Sequence, residues 1–89
     1  MTEEEQLHEL TKATEQVLDK LGYTLNQLPP QDGVFVVSAT PRCEYGTRED
    51  GSFFKMATFG AAYTKTSLKA SCLLGVVLAV VDTGGDLSA

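Results

Sequence analysis

With 89 residues the chain has room for one hydrophobic core, and 43% hydrophobic with 21% charged residues exclude a collagen-like, low-complexity or compositionally disordered polymer. A formal charge of −5 argues against sequence-blind affinity for phosphate backbones, which draws on clustered Lys and Arg. A core this small leaves apolar surface over, and pairing with a second copy as a homodimer is one way to cover it.

Thr2 followed by Glu5 is a capping box, and Glu3, Glu4 and Glu5 stand where a helix dipole favours negative charge. A helix is predicted from about Glu3 to Leu21, with Leu7, Leu10, Thr14, Val17 and Leu21 forming an apolar stripe and Leu18 beside it. Gly22 supplies the left-handed stop, and Tyr23 is placed to fold back onto Leu18. Thr24 to Gly33 reads as a connecting loop, because Pro29-Pro30 excludes a helix interior or a central strand, with Leu25 and Leu28 pinning it to the core.

Val34 to Thr40 reads as a strand, apolar on both faces and ended by Pro41. Arg42 to Thr47 and Phe53 to Phe59 are predicted to pair as a hairpin about Asp50-Gly51, a type I′ turn signal. That register opposes Tyr45 to Met56 and Cys43 to Thr58. It puts Cys43, Tyr45, Phe54 and Met56 on one face, and Arg42, Glu44, Lys55 and Phe59 on the other.

Thr64 to Val81 reads as a buried helix capped by Thr64, Thr66 or Ser67, although its valine pairs also suit a strand from about Gly75. The uncharged run from Ala70 to Val81 is shorter than the roughly 20 residues that cross a bilayer, so no membrane association is expected. Gly84-Gly85 ends the element, and the residues beyond it are expected to fray. The expected architecture is a single α+β domain over 1–89, α-β-β-α. It becomes α-β-β-β-α if the break at Pro41 divides the strands, with the hairpin packed against the C-terminal helix.

Cys43 and Cys72, with an acidic start where a secretory leader is basic, point to a cytoplasmic setting in which both thiols are buried as small apolar side chains. His8, Cys43 and Cys72 lack short ligand spacing and a fourth ligand, so no metal is expected. There is no glycine-rich phosphate loop and no nucleophile in a recognisable relation to His8, so neither a cofactor nor an enzyme is expected.

The stretch Ala79-Val80-Val81-Asp82-Thr83-Gly84-Gly85 resembles the Asp-Thr-Gly signature of retroviral-type aspartic proteases, which would make Asp82 a catalytic aspartate paired with a symmetry mate. Gly85 stands where that family usually has Ala or Ser, and few residues follow to build the flap and groove. The string therefore reads as a helix stop.

The order helix, strands, helix resembles a double-stranded-RNA-binding domain, whose last helix opens with Ser-Lys-Lys-x-Ala-Lys. The matching stretch here is Thr64-Lys65-Thr66-Ser67-Leu68-Lys69, with Thr66 where that family has lysine. The resemblance implies nucleic-acid binding through Lys65 and Lys69 on one helix face, joined by Arg42 and Lys55 of the ribbon. Phe53, Phe54 and Phe59 with Arg42, Arg48 and Lys55 would then offer bases a stacking platform.

Charge is unevenly spread. Residues 1–32 hold Glu3, Glu4, Glu5, Glu9, Glu15, Asp19 and Asp32 against Lys12 and Lys20, whereas residues 33–69 are mildly basic. The leading expectation is a non-catalytic acidic module that binds another protein as an adaptor, an inhibitor or an assembly subunit. Its expected contacts are Glu4, Glu5, Glu9 and Glu15 on the first helix and Arg48 at the hairpin tip.

Overall fold

The computed structural model describes residues 2–88 and shows an α+β domain. Helix α1 spans Glu3–Lys20, and the Thr2 hydroxyl accepts the Glu5 amide N–H at 3.2 Å, as the capping box predicts. The helix ends before Gly22, whose φ of +86° carries the chain into β1, and Leu18 and Tyr23 share the core.

The face that α1 buries differs from the predicted stripe. Thr11, Thr14 and Leu18 are buried, whereas Leu10, Val17 and Leu21 are exposed. The two threonines can face the core because their hydroxyls donate to the Leu7 and Leu10 carbonyls at 2.7 and 2.8 Å, leaving their methyls for packing.

Strand β1 spans Tyr23–Gln31, where a loop is expected. It pairs antiparallel with β2 (Val34–Pro41) and forms an edge of the sheet, where prolines remove no ladder bond that a neighbour needs. The pairing shifts register between Leu28 and Gln31, across Pro29-Pro30. Asp32 and Gly33, with φ of +52° and +77°, connect the paired residues Gln31 and Val34. The two-residue turn with positive φ at both positions is therefore made by this Asp-Gly pair, not by Asp50-Gly51.

Strands β3 (Tyr45–Thr47) and β4 (Phe53–Lys55) form a separate ribbon about Asp50-Gly51. Arg48 and Ser52 close a three-residue loop: the Arg48 N–H donates to the Ser52 carbonyl at 2.7 Å, and the Gly51 N–H to the Arg48 carbonyl at 2.9 Å, with Gly51 at φ +87°. The longer loop moves the register by one residue, so Tyr45 opposes Lys55 and Gly46 opposes Phe54. A one-residue slip exchanges faces, and Tyr45 is thereby separated from Phe54. The return strand also stops at Lys55. Phe59 instead opens β5 (Phe59–Tyr63), which pairs with β2 and completes a β1-β2-β5 sheet.

A short 3-10 turn, Thr66–Leu68, leads into α2, Lys69–Thr83, which settles residues 75–82 as helix. Both helices cover one sheet face. Leu18 of α1 and Leu73, Val76 and Val80 of α2 meet Tyr23, Val37, Ala39 and Tyr63 of the strands. Helix α2 is buried along that face only; Leu74, Leu78 and Val81 on its other side are exposed. Gly84, at φ +60°, ends it, and its N–H donates to the Val80 carbonyl at 2.8 Å, so Asp-Thr-Gly-Gly is a helix stop and Asp82 belongs to the last turn of α2. An aspartic-protease role for Asp82 has no support in this placement.

The tail beyond α2 is docked where fraying is expected. Gly85 is buried against Tyr23 and Met56, and its carbonyl accepts the Ala57 N–H at 2.9 Å.

Candidate partner-binding surfaces

Arg48, expected at an exposed tip, turns inward. Its Nε donates to Asp86 Oδ2 at 2.7 Å and its Nη2 to Oδ1 at 3.2 Å, and it also reaches Ser52, the Phe53 carbonyl and Ser88 while lying 5.4 Å from the Phe54 ring centroid. It fastens the ribbon to the tail and has few donors left for a partner. The Arg48 hydrogen bond, helped by Ser88, holds the Asp86 carboxyl down at about 2.

Because the folded-state value is depressed, this pair stabilises fully above the unfolded carboxylate value of about 3.9 and ceases to do so as pH falls through about 2. Over that acid window the wild-type urea midpoint is expected to fall more steeply than that of Asp86→Asn. Parallel curves would show that the pair does not couple to folding.

The cations assigned to nucleic acid are dispersed in the same way. Arg42 clamps the end of α1, bonding the Asp19 carboxylate and donating Nη2 at 2.6 Å to the Asp19 carbonyl, which also accepts the Gly22 N–H at 3.1 Å. Lys65 is extended backbone ahead of the 3-10 turn while Lys69 starts α2, so the two do not form a helical pair; Lys69 Nζ donates to Gln27 Oε1 at 2.7 Å. The stacking platform is also divided. Phe59 packs against the core and Phe54 lies under Arg48, leaving the exposed Phe53 and Tyr45 beside Lys55 on the ribbon's outer face.

Glu4, Glu5, Glu9 and Glu15 are all exposed, and none of them is in an ion pair among the described residues. They surround α1 instead of forming one patch. Glu4 lies with Glu3, Leu7 and Leu10 in a recess closed by Thr66, Ser67 and Ala70 of the other helical segment. Glu15 lines another with Asp19 and Tyr23, while helical spacing puts Glu5 and Glu9 opposite the buried Thr14.

Apart from these acids, sequence reasoning missed an apolar groove of about 450 Å³ lined by Leu10, Ala13, Thr14, Val17, Ala70, Ser71, Leu74 and Val77. The apolar stripe on α1 signals it, since such a stripe faces either the core or a partner, and Thr14 of the stripe is buried while Leu10 and Val17 line the groove. The cysteines differ too: both are free, but Cys43 is exposed and Cys72 half-buried.

The stretch Thr66–Thr83 is, by length and composition, apolar enough to cross a membrane, with 17% of it buried. Compared with models of known protein families, with curated proteins and with solved structures, the chain matches none.

Proposed function

We propose that this chain is a non-catalytic, cytoplasmic protein-interaction module that docks a basic surface of another protein through the acids of α1. The observation supporting this reading is the exposure of those acids: Glu4, Glu5, Glu9 and Glu15 stand outside any ion pair among the described residues, on a chain of formal charge −5. Arg42 and Arg48 are each matched by a carboxylate, Asp19 and Asp86, so these pairings leave the net charge negative, which favours steering of a cationic surface and disfavours a phosphate backbone. The cytoplasmic setting draws support from two free thiols.

The test immobilises the full chain in cell extract beside the variant Glu4→Lys/Glu5→Lys/Glu9→Lys/Glu15→Lys. A partner retained by wild type in a salt-sensitive manner is expected to bind the variant at least about tenfold more weakly. Equal retention of a protein by both would overturn the acidic contact, and retention of RNA or DNA in place of protein would overturn the proposal in favour of the nucleic-acid reading.

A further inference from the structure

The helix layer carries an exposed apolar face that the acidic reading does not use. Leu74, Leu78 and Val81 follow one another at helical spacing along α2 and are 59%, 49% and 57% exposed. Leu10, Val17 and Leu21 of α1, at 40–44%, continue the apolar surface across the groove. We propose that this face receives a second copy of the chain, α2 packing on its symmetry mate about a two-fold axis near Leu78.

Area supports that occupant. The six side chains expose on the order of 500 Å², near the upper limit for the largest patch on a monomer, and a pair of chains would bury about 1,000 Å², where specific interfaces begin.

Charge supports it as well. A chain of charge −5 repels its own copy over most of its surface, but Ala70 to Val81 contains no charged residue, so the α2 part of this seam buries none, with the exposed Asp82 left at its edge. Helical spacing puts Glu5 and Glu9 of α1 opposite Thr14, a residue of the groove wall, which leaves those acids off the seam. Shape is also suitable. An isologous contact needs a surface with both knob and hole, and the groove beside Leu74 is large enough to hold a leucine of the partner copy.

The dimer is independent of the acidic surface, and the two proposals fail separately. Sedimentation equilibrium of the full chain at micromolar concentrations is expected to give twice the chain mass, and Leu74→Glu/Leu78→Glu to give the monomer mass with an unchanged circular-dichroism spectrum, since both side chains are exposed in the single chain. The charge-reversed α1 variant should remain dimeric. As a check that does not depend on the folding of the glutamate variant, Leu78→Cys in a Cys43→Ser background should form a covalent dimer on mild oxidation, and Phe53→Cys in that background should not. A monomeric wild type would overturn the proposal. So would a dimer indifferent to Leu74→Glu/Leu78→Glu, an equal cross-linking yield from position 53, or flotation of the wild type with phosphatidylcholine vesicles, which would assign the face to lipid.

Discussion

Truncating Tyr23 to alanine is expected to cost about 3–5 kcal/mol, a large part of the stability a domain of this size possesses. Tyr23 is 1% exposed and occupies the junction of every layer: it follows the stop of α1, opens β1, lies 6.4 Å from the Phe59 ring and supports Gly85 of the tail. Its hydroxyl donates to the Ala57 carbonyl at 3.1 Å, so Tyr23→Phe separates the polar share, about 1 kcal/mol, from the packing share. Urea denaturation of the two variants measures both. Equal losses would mean that the hydrogen bond, not the ring's packing, dominates at this position.

Gly85→Ala is expected to lose about 2–3 kcal/mol through two separate causes. Its φ of +89° disfavours any L side chain, and the new Cβ would lie 2.5 Å from the Tyr23 hydroxyl oxygen and 2.8 Å from the Met56 methyl. Met56 is flexible and can withdraw, but Tyr23 is held by its bond to Ala57 and by the core around it. Gly75→Ala is the control. Inside α2, with nothing within 4 Å of the added carbon, it should stabilise by about 0.5–1 kcal/mol. Thermal melts showing equal shifts for the two would remove the steric argument for Gly85.

What the residues announced, and what they concealed, divides along range. The start of α1, its stop at Gly22, strand β2 and the stop at Gly84 all depend on groups within a few positions of one another, and each formed as local chemistry dictates. Where a pattern is local but its direction is not, the residues leave the outcome open. Spacing reveals a stripe on α1 but not which way the helix rolls, and threonines that satisfy their own hydroxyls took the core side, releasing Leu10 and Val17 to the groove. Two Asp-Gly pairs carry the same turn signal. Only the one at 32–33 makes the two-residue turn, while Arg48 and Ser52 lengthen the other.

Pro29-Pro30 excludes a central strand, yet β1 is an edge, a status that depends on where β5 lies. Among the candidate site residues, the exposed acids of α1 were legible from charge and periodicity. Arg42, Arg48 and Lys69 were not, because their partners Asp19, Asp86 and Gln27 are remote in sequence and a cation's availability depends on whether it finds one.

The docking of Gly85 on Tyr23 also orders events during synthesis. A ribosome delivers Tyr23 early and Gly85 more than half the chain later, so the side chain at the junction of the layers waits uncovered while the strands and α2 emerge. Native closure couples an early residue to a late one, the kind of long-range contact that slows folding. Until that contact closes, the chain displays an aromatic ring that the folded domain conceals, and that open state is the one a chaperone would hold.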